Sequence, residues 1–257
     1  MLGGLAYDVQ GEGPPLLFLH AFPLRAAQWD PQVAALRAQH QVIRFDDRGF
    51  GSSAPGDGLL TMERVADDAA ALLDHLGIGR AVVCGLSMGG YAAFAMVRRH
   101  ANRLRALVLA DTRAAADTPE GRQSRAALAE QVRREGAVAA ADAFLPKLLG
   151  ETTKRERPQV TARVREIILG NPPRGIADAL AGLAARADST GTLREIRVPT
   201  LVMCGEEDSL TPPADSEALH RGIAGSRLVL LPRAGHLSNL EDADAFNRAL
   251  LEFLGQV

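Results

Sequence analysis

The chain has 257 residues, 47 % of them apolar, with 29 Lys+Arg against 31 Asp+Glu for a formal charge of −2. That length buries ample core and excludes wholesale disorder, while balanced charge argues against a nucleic-acid partner, which needs a concentrated basic face. Two cysteines, Cys84 and Cys204, make neither a disulfide scaffold nor a metal-ligand pair, the start Met1-Leu2-Gly3-Gly4-Leu5 lacks the charge and apolar run of a signal peptide, and no run of about 18 uncharged apolar residues exists to span a membrane. The expectation is a soluble, cytoplasmic globular protein with no nucleic-acid or membrane partner, and no motif speaks to its oligomeric state.

The first strong element is Pro15–His20 (PLLFLH), a short apolar run bounded by Gly11-Glu12-Gly13-Pro14. Such runs suit strands buried on both faces. A helix-period stretch, Trp29–Gln39, leads to a second run, QVIRF at 41–45. Thr61–Leu76 reads as the next helix, with Thr61 as N-cap and Gly77 as the stop. AVVCG at 81–85 follows, then a helix over Met88–His100 that ends in Arg98-Arg99, cations suited to a helix C-terminus. LRALVLA at 104–110 is the fourth run, and TLVMCG at 200–205 and RLVLL at 227–231 complete the set. Helices are expected over Pro213–Arg221 and Ala243–Leu254. Alternating strands and helices predict an α/β fold, a mainly parallel, doubly wound sheet.

One interval breaks the rhythm. Between Asp111 and Pro199 no strand-like run occurs, whereas a simple crossover needs only about a dozen residues. The spacing of Leu128, Val132, Val160, Val164, Ile167 and Ile168 predicts short amphipathic helices, broken at Pro119, Pro146, Pro158 and Pro172-Pro173. The expected organisation is a core of residues 1–111 and 199–257, with 112–198 as a helical cap over one end of the sheet.

The decisive motif is Gly85-Leu86-Ser87-Met88-Gly89. It closes a strand and opens a helix, the context of a nucleophile elbow. The flanking glycines serve a turn too tight for a Cβ, and the helix N-terminus favours negative charge developing near the hydroxyl. A nucleophilic serine needs a base, and the base an orienting acid. His236 lies just past RLVLL, and Asp208 just past TLVMCG. All three therefore fall at carboxyl ends of strands, where open parallel sheets bind ligands, in the order Ser, Asp, His. Glu206, Glu207 and Asp111 compete with Asp208 for the acid.

The chain resembles the α/β-hydrolase superfamily over nearly its whole length. His20-Ala21-Phe22-Pro23 resembles the family's HGxP loop, with alanine where glycine is usual, and Asp46-Asp47-Arg48-Gly49-Phe50-Gly51-Ser52-Ser53 resembles its DxRGxGxS turn. Within the superfamily the chain is most similar to small carboxylesterases and 3-oxoadipate enol-lactonases. The resemblance implies a Ser87–His236–Asp208 triad and an oxyanion hole from the backbone N–H groups of Phe22 and Met88. It also implies a cofactor-free, metal-free hydrolase that cleaves a small-molecule carboxylic ester or lactone through an acyl-enzyme. Perhydrolase or haloperoxidase-like chemistry and C–C hydrolysis are alternatives on the same site. A non-enzymatic ligand-binding receptor is a remote one. Asp46 and Arg48 read as pins for the turn after QVIRF, and His20 as a hydrogen-bonded core histidine. Arg113 reads as a surface residue, with contact to a substrate carboxylate as its alternative. With Phe144 the one aromatic residue of the cap, an aliphatic pocket is expected.

Overall fold

Each apolar run becomes a strand of a single seven-stranded sheet in a computed structural model that describes residues 1–257. The strands are β1 (Tyr7–Gln10), β2 (Pro15–Leu19), β3 (Gln41–Phe45), β4 (Ala81–Leu86), β5 (Leu104–Ala110), β6 (Thr200–Gly205) and β7 (Arg227–Leu231). Their order is β1-β3-β2-β4-β5-β6-β7, parallel throughout except for β1 against β3. Every residue of β4 and β6 is buried, which is why those segments show no polar alternation. Strand β1 is the element the sequence reading lacks. YDVQ is a four-residue edge strand, half-buried along its length, whose Asp8 accepts from Arg44 across the pair.

Helices α1 (Asp30–Leu36), α2 (Met62–His75) and α3 (Met88–His100) follow β2, β3 and β4. A 3₁₀ turn at Ala26–Trp29 precedes α1, so the helix is shorter than the expected Trp29–Gln39. Thr61 caps α2 by accepting the Arg64 N–H at 3.1 Å, and Gly77 leaves it at φ +69°. Phe18 on β2 stacks on Trp29 at 4.3 Å, and Trp29 meets Phe246 at 6.1 Å. Each such buried side chain contributes about 1.5–3 kcal/mol. Asp46 pins its turn by accepting from Ala26 and Ser52, whereas Arg48 pairs with Asp68 of α2 through two bonds, so Asp46 and Arg48 do not pair with each other. Cys84 and Cys204, on strands separated by β5, are buried and free. No helix is long and apolar enough to cross a membrane.

Between β5 and β6 the chain forms α4 (Pro119–Glu135), α5 (Ala137–Leu148), α6 (Glu151–Glu156), α7 (Pro158–Leu169) and α8 (Pro173–Ala185). Pro119, Pro158 and Pro173 open helices, where a missing N–H costs nothing. Pro146 does not break one; it sits in the last turn of α5. After β6 come α9 (Pro213–Gly222), then, beyond β7, α10 (Ser238–Glu241) and α11 (Ala243–Leu254), which Asp242 caps through the Ala245 N–H. Helix α1 packs on α11, and α2 on α3.

The insertion is fastened to the sheet by polar staples and backbone contact. Buried Asn171 donates to Pro23 O and accepts from the Gly51 N–H. Arg157, between α6 and α7, donates to the carbonyls of Arg233 and Glu241. Gly175 of α8 lies so close to Gly49 that a Cβ would stand 1.9 Å from the Gly49 carbonyl oxygen. Gly175→Ala should therefore lower stability by about 1–3 kcal/mol, the range for overpacking. Gly191→Ala, with open space around it, should change the urea midpoint little; equal midpoints for the two variants would refute this docking constraint.

Candidate active site

Four adjacent strands deliver their carboxyl ends to one edge of the sheet, and the ladder continues past them into the loops. The Ser87 N–H donates to Ala110 O, the Asp111 N–H to Met203 O, and the Glu206 N–H to Leu231 O. The loops are thus indexed to one another by backbone hydrogen bonds before any side chain is considered.

At the end of β4 the chain reverses into α3 within one residue. Ser87 sits at φ 55°, a conformation few non-glycine residues adopt. The turn closes only without side chains at its flanks: a Cβ on Gly85 would lie 2.2 Å from Gly89 O, and one on Gly89 would lie 2.1 Å from Leu19 O. Ser87 is left half-buried above the first turn of α3.

The structure brings Ser87, His236 and Asp208 together. His236 Nε2 lies 2.8 Å from Ser87 Oγ, and its Nδ1 lies 2.8 Å from Asp208 Oδ2. Asp208 Oδ1 accepts the N–H groups of Leu210 and Thr211, and Oδ2 accepts the Thr211 hydroxyl at 2.7 Å. An ionised carboxylate only accepts, so His236 must carry its proton on Nδ1, leaving Nε2 to accept from Ser87. Burial works to raise the Asp208 carboxyl, but His236 beside it and the bonds from Thr211 outweigh burial and hold it below the ordinary aspartate value.

The competing acids stand elsewhere. Glu206 is exposed, and Glu207 accepts from the backbone and hydroxyl of Thr152. Asp111, at φ 45°, accepts the Gly205 N–H at 2.8 Å and the Ser238 hydroxyl, and makes no bond to His236. Burial, then the charge of Asp208, push its carboxyl well above the usual range. Asp111, Cys204 and Asp208 place ligand-type atoms within 4.8 Å of one another, but each is already bonded to neighbours among Ser238, Gly205, Thr211 and His236. Burial, with Asp111 second, raises the Cys204 thiol, which keeps it protonated and unreactive.

Phe22 and Met88 both line the pocket that holds Ser87 and His236. Met88 opens α3, so its N–H has no intrahelical acceptor, and the Phe22 N–H makes no backbone bond either. The Phe22 loop is held from behind. His20 Nδ1 donates to Ala21 O, His20 Nε2 accepts the Asp47 N–H, and the Ala21 N–H donates to Gln28. Ala21 is not at positive φ, so alanine brings no strain where glycine is usual.

Two expectations need correction. Arg113 is not a plain surface residue: it lines the same pocket as Ser87, together with Arg125 from α4. The pocket is therefore not simply aliphatic, although Phe144 and Leu183 supply apolar walls. The sequence reading also lacked Thr211, which orients both Asp208 and His236. Its signal was present, since Asp followed three residues later by Thr is a local side-chain-to-backbone turn pattern. Arg125 carried no such signal, being one of several arginines on an amphipathic helix.

A family model described as the alpha/beta hydrolase fold matches residues 14–243. Among curated proteins, 3-oxoadipate enol-lactonase 2 of Acinetobacter baylyi is 30 % identical over 241 residues, covering 94 % of this chain and 88 % of its own. Among solved structures, a malate-bound thermophilic esterase from Thermogutta terrifontis superposes with a TM-score of 0.96 at 44 % identity, covering 98 % of this chain and 93 % of its own. The enol-lactonase from Burkholderia xenovorans LB400 gives 0.90 at 37 % identity, covering 98 % and 96 %. The chain thus belongs to the α/β-hydrolase fold family.

Proposed function

We propose that this chain is a serine hydrolase of carboxylic esters or lactones. The observation that carries the reading is the continuous hydrogen-bonded line from Ser87 Oγ through His236 to Asp208. Its similarity to esterases and enol-lactonases supports the same class. Ser87 Oγ attacks the carbonyl carbon while its proton passes to His236 Nε2. Asp208 holds the imidazole in the accepting tautomer and stabilises the imidazolium that forms. The N–H groups of Phe22 and Met88 receive the tetrahedral oxyanion, each such donor being worth about 3–4 kcal/mol of transition-state stabilisation. His236 then protonates the departing alkoxide, leaving Ser87 acylated. Water, deprotonated by His236, attacks the acyl carbon, and the serine leaves with the proton returned. In a lactone the alcohol remains tethered and departs as one hydroxy acid.

In this reading residues 112–198 act as a cap that shapes the pocket without entering the chemistry. Arg125, Phe144 and Leu183 come from that interval and share the pocket with Ser87. A fluorophosphonate should label one serine, located at Ser87 by peptide mass mapping, and Ser87→Ala should lose both labelling and turnover. Labelling at another serine would overturn the assignment.

Asp208→Asn should lower kcat by about 10⁴, as the equivalent change does in a serine protease, because the amide favours the wrong histidine tautomer. Asp111→Asn should cost far less, and its signature lies in stability. A carboxyl held above its unfolded value contributes stability that is complete below about pH 3.9 and is lost as pH rises toward the folded value. Asparagine undergoes no such loss. The urea midpoint of Asp111→Asn relative to wild type should therefore climb between pH 4 and pH 8, and a flat or falling difference would contradict the burial of a protonated Asp111.

A further inference from the structure

The peptide that joins Ala21 to Phe22 is loaded on one side only. Its carbonyl accepts two donors, the Leu24 N–H at 2.8 Å and His20 Nδ1 at 3.0 Å. Its N–H, the Phe22 donor of the proposed oxyanion hole, makes no backbone bond. The unit is trans, so its carbonyl and N–H point in opposite directions across one rigid plane. A donor on the Ala21 oxygen therefore aims the Phe22 N–H. It also polarises that N–H, as each bond in a chain of hydrogen bonds strengthens the next.

Behind that peptide lies a second acid–imidazole pair. His20 and Asp47 are both buried, and Asp47 Oδ2 stands 3.4 Å from His20 Nε2. The Ala21 carbonyl can only accept, so Nδ1 bears a proton and Nε2 presents its lone pair to the Asp47 N–H at 3.1 Å. A bare carboxylate would set Oδ2 against that lone pair, and Asp47 Oδ1 is buried with no donor at all. An unpartnered buried charge is costly, so a further proton belongs between Oδ2 and Nε2. Burial, opposed by His20 and reinforced by the charges of Asp68 and Asp46, lifts the Asp47 carboxyl to about 6. The other charged groups around it are engaged. Asp46 accepts from Ala26 and Ser52, while Asp68 of α2 takes two bonds from Arg48 and lies 3.7 Å from Arg64. Asp47 fills the open second place of the DxRGxGxS turn, so the pair belongs to this chain and not to the motif.

We propose that Asp47 and His20 are positioning residues for the oxyanion hole: a proton shared between them lets the imidazole hold and polarise the Ala21–Phe22 peptide, and its loss weakens the Phe22 donor. This rests on the ester- or lactone-hydrolase reading, and the two can fail separately. With the proton in place the pair has no net charge, and His20 Nδ1–H draws on Ala21 O. Once the proton leaves, a full negative charge stands behind the peptide and opposes the oxyanion on its other side. Neither residue lines the pocket that holds Ser87.

The test follows kcat and KM for p-nitrophenyl butyrate from about pH 5.5 to about pH 8.5 in wild type, Asp47→Asn and Asp47→Ser. Neither substitute ionises, so both variants keep a neutral group behind the peptide throughout. Dividing variant by wild type cancels the titration of His236, which all three retain. The kcat ratio should climb with pH by about three- to tenfold, a fraction of the roughly 10²–10³ that losing an oxyanion donor outright costs. The KM ratio should stay flat, because the oxyanion exists only beyond the ground state. His20→Asn, whose amide can still donate to Ala21 O, should retain more kcat than His20→Ala. Carboxyl resonances of ¹³C-labelled wild type, a readout that needs no variant to fold, should include an aspartate that titrates near pH 6 together with the His20 ring. If esters are cleaved but the kcat ratio is flat or falls with pH, the positioning role is wrong and the hydrolase reading stands. If a folded wild type cleaves no ester or lactone, the hydrolase reading falls and takes the oxyanion role with it. The shared proton is then decided by the carboxyl titration alone, and an Asp47 that titrates at the ordinary aspartate value refutes it.

Discussion

The site depends on one steric constraint: β4 must turn into α3 within a single residue, with the backbone of β2 pressed against the far side. Two glycines make that possible, because a Cβ at Gly85 or Gly89 would overlap carbonyl oxygens of Gly89 and Leu19. Ser87 adopts a left-handed conformation in consequence, and the strain is borne by the surrounding ladder and helix. The geometry that forces the serine outward also sets α3 beneath it, so exposure of the hydroxyl and the field of the helix terminus share one origin.

Around that turn, precision comes from backbone indexing more than from side-chain packing. Hydrogen bonds from Ser87 to Ala110, Asp111 to Met203, and Glu206 to Leu231 extend the sheet one step beyond its strands. Asp111 then ties the end of β6 to Ser238, two residues past His236. A buried carboxyl that does no chemistry in the proposed reaction thus connects the loops bearing Asp208 and His236. Thr211 works at shorter range, satisfying Asp208 and touching His236 at once.

Much of this was legible in the sequence because strands of a covered parallel sheet leave short apolar runs, and six of the seven strands do so, including the half-buried edge strand β7. β1 escaped because an edge strand of four half-buried residues has neither a run nor enough length to show alternation. The helix starts at Pro119, Pro158 and Pro173 were readable from proline's fixed φ, whereas Pro146 misled because α5 carries it within the helix, forgoing one backbone hydrogen bond without breaking. Ser87, Asp208 and His236 were legible from their places at strand ends. Arg113 and Arg125 were not. Whether an arginine faces solvent or a cavity depends on how the insertion lies over the sheet, and that is set by long-range contacts such as Asn171 with Pro23 and Gly51.

The fastening of the insertion has a mechanical corollary. Gly150, between α5 and α6, lies against Gly235, where a Cβ would sit 2.2 Å from the Gly150 nitrogen. The Gly150 N–H also donates to Glu241, and Arg157 grips the carbonyls on either side of the His236 loop. Any displacement of α6 must therefore drag the imidazole with it, so this flank behaves as an anchor and not as a hinge. The opposite flank carries no such fastening, and there the groove between α4 and α5, bordered by Leu128, Phe144 and Lys147, opens outward. Arg113, Arg125 and Lys147 all line that groove, so the side of the pocket free of the α6 anchor is also its cationic side.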